Sequence, residues 1–207
     1  PVGARTLGYL RDERGLDDDM IRRAGLGYNP KAWQRDAMRW GFSSGEFYLW
    51  RGLTIPYVVG DHLWAIEIRD EDAKPGGGKY KAVKGSRRVL YNADLLRIDK
   101  PAVLVEGVMD ALTLEQVAED LITACATGGA NNAQKMRWAV RLALCPTVLV
   151  TFDEDDEAGR RARRIWKEAL SHNASVWLPR SHDVNAMHQN GLDVRAWVLS
   201  GLRQSVR

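Results

Sequence analysis

From residue 101 onward the chain alternates short unbroken apolar runs with stretches of helical period. The strands read from these runs are AVLVE (102–106), LITACA (121–126), TVLVTFD (147–153) and ASVWLP (174–179). Between them lie segments of helical spacing at 107–118, 132–142 and 157–170, and two short helices close the chain. Apolar runs of this length, without strict alternation, read as strands buried on both faces. Interleaved with helices, they predict an α/β fold built on a parallel sheet flanked by helices. In such sheets ligand sites gather beyond the carboxyl ends of the strands.

The residues before 100 have a different texture. LDDDMIRRAGLGY (16–28) predicts a short helix stopped by Gly25 and Gly27. A second helix is expected over Lys31–Trp40, opened by Asn29-Pro30. LTIPYVV (53–59) and HLWAIEIR (62–69) flank Gly60-Asp61, a hairpin signal. DEDAKPGGGKYKAVKGSRR (70–88) reads as a long mobile loop or ribbon, and it carries Lys74, Lys79, Lys81, Lys84, Arg87 and Arg88. The change of texture at Asp99-Lys100-Pro101 divides the chain into a smaller α+β basic subdomain, 1–99, and a parallel-sheet domain, 100–207.

Composition adds little to this and excludes several classes. Lys and Arg exceed Asp and Glu only by 30 to 27, a net charge of +3 that does not by itself point to nucleic acid. Cys125 and Cys145 sit in apolar runs with neither CxxC spacing nor a His cluster. They read as buried small hydrophobes in a reducing compartment, not a zinc framework. No apolar run approaches the roughly 18 residues of a membrane span, and no signal peptide opens the chain. A cytoplasmic protein with no membrane partner is expected. The start at Pro1, without methionine, reads as a trimmed or excised domain. Trp138, Trp166 and Trp197 fall at amphipathic positions and are expected in the core.

The chemistry concentrates at strand ends. Glu106 leaves the first run in VEGVMDAL (105–112), with Asp110 four residues on and on the same helix face. Gly107 between them permits a tight strand-to-helix turn. The third run ends in FDEDDEAG (152–159), and HDVN (182–185) follows the fourth. Each has a plainer reading alone, because acidic residues at helix starts are favoured by the helix dipole. His182 and His188 lack a third soft ligand. The joint occurrence at successive strand ends argues for a site. On a parallel sheet these elements converge at one edge, where carboxylates repel one another unless a cation neutralises them. Oxygen donors without His or Cys suit Mg²⁺ or Mn²⁺ rather than zinc, and phosphoryl or nucleotidyl transfer is the expected chemistry. In the basic ribbon, Tyr80 stands between Lys79 and Lys81, an arrangement for stacking plus charge, against the plainer reading of a solvated loop.

EGVMDAL (106–112) and FDEDDEAG (152–159) resemble the glutamate and DxD motifs of the Toprim domain. That domain is shared by DnaG-type primases, type IA and type II topoisomerases, small nucleases and recombination mediators. The resemblance covers residues 100–200 and implies that Glu106, Asp153 and Asp155 are catalytic metal ligands, with Asp110 and Asp183 assisting. Asp156-Glu157 precede Ala-Gly where primases have one residue, so the second ligand is Asp155 or Asp156; Asp155 keeps the Asp-x-Asp geometry. Asp183-Val184-Asn185 stands where primases carry Asp-x-Asp, which would weaken a second or third metal.

The amino-terminal half is similar to DnaG-type primases in particular. YLRDERGLDDDMIRRAGLGYNPKAW (9–33) resembles the primase YL-x-x-RGL segment, helix, GYAP and nearby Trp. TIPY (54–57) resembles the strand opening the first primase hairpin, and IRD (68–70) with KYKAVKGSRRVLYN (79–92) resembles the stretch through KYLNSP to LYG. The match implies that Arg14, Arg69, Lys79 and Tyr80 face template or incoming nucleotide, with Lys84 and Arg87 as further cations. Ala82 stands where the family has Asn, which marks a divergent member. The implied activity is that of a DNA primase core, a DNA-directed RNA polymerase using single-stranded DNA template, nucleoside triphosphates and Mg²⁺ or Mn²⁺, with a replicative helicase as partner. The family's zinc ribbon and helicase-binding module have no counterpart in these residues. Two other readings stay open: a Toprim nuclease hydrolysing phosphodiesters, and a non-catalytic single-strand-binding module.

Overall fold

A computed structural model describes residues 3–74, 78–129, 136–152 and 157–205. Helix α1 (Ala4–Gly8) widens into a π-type turn over Tyr9–Glu13. The helix expected in LDDDMIRR forms as α2 (Asp18–Arg23), capped by the Asp17 carboxylate, which accepts from the Met20 amide at 2.7 Å. Strand β1 (Gly27–Asn29) follows.

The helix expected over Lys31–Trp40 does not form. This segment is strand β2 (Trp33–Asp36) and a 3₁₀ turn (Ala37–Trp40), and β2 pairs antiparallel with β3 (Glu46–Leu49). Trp33, Ala37 and Trp40 have helical spacing, but contacts across the ribbon decide the outcome. Trp33 and Trp40 both close on Phe47, with ring centroids 5.9 and 5.0 Å apart. The Asp36 carboxylate accepts from the Met38 amide and closes the turn.

β4 (Gly52–Val59) and β5 (His62–Asp70) form the expected hairpin around Gly60-Asp61. β6 (Tyr80–Ala82) adds to β5, so part of the basic ribbon is ordered strand; 75–77 lie outside the described residues. The antiparallel sheet has the order β1-β4-β5-β6.

The second half follows the predicted alternation: β7 (Ala102–Val105), α3 (Val108–Ala118), β8 (Thr123–Ala126), α4 (Met136–Ala143), β9 (Val148–Thr151), α5 (Glu157–Ala169), β10 (Ala174–Val176), α6 (Val184–Gln189) and α7 (Val194–Ser205). All pairings in this sheet are parallel, in the order β10-β9-β7-β8. Every residue of β7, β8 and β9 is buried, as the unbroken apolar runs require. α3 is apolar on most sides because it lies between the sheet and α6 and α7. α5 buries one stripe, Ala162 and Trp166, and turns Arg160, Arg161 and Arg164 outward. Trp138, Trp166 and Trp197 are core residues, as expected.

From β7 the chain moves to β8 on one side and then crosses to β9 on the other. That reversal puts a crevice beyond the ends of β7 and β9. The turn after α1 is fastened to the second half: the Gln116 side-chain amide donates to the Gly15 carbonyl (2.9 Å), and its oxygen accepts from the Asp17 amide (2.8 Å). Gly15 has φ +66°, and a Cβ there would stand 2.8 Å from the His188 ring. Both demands select glycine in the RGL sequence.

Candidate active site

The carboxylates are placed by the loops at the carboxyl edge of the parallel sheet. Glu106 leaves β7, and its carbonyl accepts from the Gly128 and Gly129 amides at 3.0 and 3.2 Å. Gly128 sits at φ +69° beneath the Tyr57 hydroxyl, 2.9 Å from where a Cβ would lie, so only glycine turns the chain here. Asp110, in the first turn of α3, is 9% exposed, and its Oδ1 accepts from the Asn185 amide at 2.9 Å. Its Oδ2 lies 2.9 Å from the Cβ position of Gly107. Gly107 has φ −97°, open to any residue, so glycine there provides room for Asp110 rather than a special turn. Asp183 caps α6 by accepting from the Ala186 amide at 2.6 Å.

Glu106, Asp110 and Asp183 line one cleft of about 300 Å³. Asp153, Asp155 and Asp156 lie outside the described residues. Val105 and Thr151 are register partners, so Phe152 leaves β9 at the edge where Glu106 leaves β7.

The antiparallel sheet forms the opposite wall. Register partners Ile55 and Glu67, Leu53 and Arg69, and Arg69 and Tyr80 put Glu67, Arg69 and Tyr80 on the inward face with Tyr57. The Tyr57 hydroxyl donates to Glu67 Oε2 at 2.7 Å. Burial pushes the Glu67 carboxyl above its ordinary range, offset in part by this hydrogen bond. Burial, then the Glu67 charge, pushes the Tyr57 phenol well up. Both line the cleft, and sequence reasoning missed both. The available signal was a charged residue at an inward, period-2 position of a strand.

A raised carboxyl pKa means that the folded state holds the proton more tightly than the unfolded chain. The associated stability is complete below the unfolded value of 4.5 and is lost as pH rises through the raised folded value. Glu67→Gln is therefore expected to flatten the decline of the urea midpoint as pH rises above 4.5. Identical slopes for variant and wild type would refute the shift.

The cations are ordered around aromatic rings. Arg14 Nε donates to the Tyr9 hydroxyl at 2.7 Å, and Arg69 lies over the Tyr9 ring, 4.2 Å from its centroid. The Tyr80 hydroxyl bonds to that of Tyr9, and burial first, then Tyr9, pushes its pKa up to about 12. Tyr80 remains 44% exposed. Tyr9, Arg14 and Arg69 all act on its hydroxyl, and the residue as a whole keeps part of its surface accessible. Arg14 and Tyr80 share the cleft with the carboxylates.

Arg69 and Lys79 line an adjoining hollow of about 230 Å³ beside Tyr9. Arg87 lines another, of about 310 Å³, that shares Tyr57 and Glu67 with the central cleft. Lys84 stands apart, donating to the Ser44 carbonyl at 2.7 Å and lying 5.1 Å from the Phe42 ring centroid. Sequence reasoning also passed over Tyr9, which organises Arg14, Arg69 and Tyr80.

Asn185 is wholly buried and joins the two halves of the chain. Its Nδ2 donates to the Arg14 carbonyl and to Thr113 Oγ1, both at 2.8 Å. Its Oδ1 accepts from the Arg14 guanidinium at 2.9 Å and from Gln189 at 2.7 Å. The departure from Asp-x-Asp is thus an amide whose donor and acceptor atoms are all used.

The described lining of the cleft presents oxygen ligands and no imidazole or thiol, a donor set that fits a hard divalent ion. Among the described residues, no three His, Cys, Asp or Glu side chains group closely enough to hold an ion unaided. Also among these residues, no helix is long and apolar enough to cross a membrane.

A family model described as Toprim-like matches residues 103–188. No curated protein sequence matches the chain. Solved structures similar over most of its length include the following three. The DNA primase domain from Pseudomonas aeruginosa is 21% identical, with a TM-score of 0.72 over 96% of this chain and 72% of that one. The RNA polymerase domain of Mycobacterium tuberculosis primase DnaG, in complex with double-stranded DNA, is 22% identical, with a TM-score of 0.71 over 96% and 74%. The primase fragment of the bacteriophage T7 primase-helicase protein is 19% identical, with a TM-score of 0.61 over 91% and 72%. Residues 103–188 are a Toprim-like domain. As a whole, the chain has the fold of a DnaG-type primase catalytic core.

Proposed function

We propose that this chain is the catalytic core of a DNA primase, a nucleotidyltransferase that makes short RNA primers on single-stranded DNA from nucleoside triphosphates. One observation carries the reading: strand-end carboxylates Glu106, Asp110 and Asp183 share a cleft with Arg14 and Tyr80 of the other half. One wall suits a divalent cation and the other suits phosphates. Glu106, Asp153 and Asp155 would hold Mg²⁺ or Mn²⁺, with Asp110 and Asp183 assisting. The ion would supply charge neutralisation at the triphosphate and a lowered pKa at the attacking 3′-hydroxyl.

The protein's own groups do the positioning. Arg14, anchored by Tyr9 and Asn185, offers a fixed charge to a phosphate. Arg69 and Lys79 extend that charge along the template or triphosphate, and Arg87 does so on the other flank. Tyr80, with a pKa of about 12, stays neutral at working pH and keeps its hydroxyl as a donor while its accessible ring can stack. A domain boundary at 99–100, a cytoplasmic setting and a replicative helicase as partner belong to the same proposal. The helicase is suggested by the primase-helicase parentage of the T7 fragment.

Labelled single-stranded DNA incubated with Mg²⁺ or Mn²⁺, with and without nucleoside triphosphates, tests the reading. New oligoribonucleotide that requires added triphosphates, and is lost in Asp153→Asn, supports it. Shortening of the DNA without triphosphates identifies a nuclease instead. Binding without turnover identifies a non-catalytic module.

A further inference from the structure

α4 is apolar on two opposite sides, and only one of them meets the core. Trp138 and Leu142 face inward and are buried. Met136, Val140 and Leu144 recur at helical spacing and form a single row on the opposite side, where they are 79, 52 and 60% exposed. A helix apolar on both sides is ordinarily held between two layers. α5 shows the alternative, since its outward side carries Arg160, Arg161 and Arg164. The adjoining 93–98 segment adds Leu95 and Ile98, both also exposed. That segment is tied to α4 by the Arg141 guanidinium, which donates to the Ala93 carbonyl at 2.9 Å. Exposed apolar groups gathered in this way, with polar groups at the margin, mark an interaction surface.

The margin is cationic. By the helical repeat, Arg137 and Arg141 lie along one flank of the row. Arg137 is held over the Trp64 and Trp138 rings, 5.1 and 4.9 Å from their centroids, and Arg141 by its bond to Ala93. Among the described residues neither is paired with a carboxylate. The aspartates of the neighbouring segment are already engaged: Asp94 accepts from the Gly60 amide at 2.9 Å, and Asp99 pairs with Arg97 at 2.6 Å. We propose that this face docks an amphipathic helix of another protein, its apolar stripe on Met136, Val140 and Leu144 and its edge of Asp or Glu on Arg137 and Arg141. Two fixed cations beside an apolar row, with no anion of their own, select an acidic partner and reject a basic one. A second copy of this chain fits less well, because antiparallel pairing of two α4 helices across a two-fold axis sets arginine beside arginine. A polyanion would meet the cations but leave the apolar row in water. The surface uses neither the carboxylates nor the cations of the cleft, so it stands apart from the proposed polymerase activity.

The test is fluorescence anisotropy of the full chain with a labelled peptide of about 18 residues, long enough to sustain a helix. The peptide carries leucines on one face and glutamates along the edge of that face; a control peptide has lysines in place of the glutamates. Wild type is expected to bind the glutamate peptide about tenfold more tightly than the lysine peptide, since like charges at an interface repel. Val140→Glu with Leu144→Glu is expected to weaken the glutamate peptide by about tenfold or more. Both side chains are exposed, so the melting temperature of this variant should stay at the wild-type value. Arg137→Glu with Arg141→Glu is expected to reverse the preference, so that the lysine peptide binds the more tightly, a gain that misfolding would not produce. Glu106→Gln should bind like wild type.

Equal affinity of wild type for the two peptides overturns the proposal, because the row then acts by apolar contact alone. So does undiminished binding of the glutamate peptide by Val140→Glu with Leu144→Glu. A concentration-dependent dimer in sedimentation that this variant abolishes would assign the row to a second copy. Retention on anionic vesicles, abolished likewise, would assign it to a membrane surface, and either result overturns the acidic-helix reading. A chain that shows the charge-selective binding yet incorporates no nucleotide sinks the primase reading and leaves this surface standing.

Discussion

Glu106→Gln is expected to lower template-directed ribonucleotide incorporation by about 10³-fold, because an anionic ligand to a divalent ion contributes several kcal/mol to the transition state and each 1.36 kcal/mol is tenfold in rate. The fold should hardly notice. The carbonyl of residue 106 accepts from the Gly128 and Gly129 amides, and glutamine leaves that backbone grip intact. The side chain is partly exposed at the cleft rim, where a substitution costs about 0.5 kcal/mol, or roughly 2 °C in Tm. The variant thus separates chemistry from folding. Glutamine keeps the length and one oxygen but loses the charge, so raising Mn²⁺ is expected to restore part of the rate. Activity within threefold of wild type at an unchanged melting temperature would remove Glu106 from the site.

How much could be read before folding depended on whether one segment held enough information to decide. Unbroken runs such as VLVT have few alternatives: too short for a buried helix and too apolar for a surface strand, they go to the centre of a parallel sheet. Once the sheet is parallel, Glu106, Asp110 and Asp183 must come to one edge, and they do. The ribbon at 33–49 is the opposite case. Trp33, Ala37 and Trp40 satisfy the helical period, and only the distant Phe47 tips the segment into strand and turn. Tyr57 and Glu67 were illegible for a related reason. Alternation shows which strand face a residue takes, but nothing local shows that this face looks across at a second sheet. Arg14 was legible through its motif, whereas its contact with Tyr9 needs the local π-type turn and its contact with Asn185 needs the two halves to dock. Gly107 was read as a turn residue, and the structure shows it making space for the Asp110 carboxylate.

That docking carries the second large expectation. Asn185→Ala is expected to lower stability by about 2–4 kcal/mol, the range for breaking a buried hydrogen-bond network, and Tm by roughly 10 °C. The substitution removes one hydrogen-bond partner from each of the Arg14 carbonyl, the Thr113 hydroxyl, the Arg14 guanidinium and the Gln189 amide, all of which bond to the Asn185 side chain. Asn185→Asp discriminates between two views of this position. An aspartate keeps an acceptor for Arg14 but turns an oxygen toward the Arg14 carbonyl, where the amide now donates, so its stability is expected between alanine and wild type. If residue 185 were only a ligand position lacking its acid, aspartate would cost no stability and would raise activity. Two stations clasped by one amide predict the reverse: aspartate loosens the Glu13–Asp17 turn, Arg14 loses its fixed place beside the carboxylates, and incorporation falls together with the urea midpoint. An alanine variant within 0.5 kcal/mol of wild type would show that the two halves are held by something else.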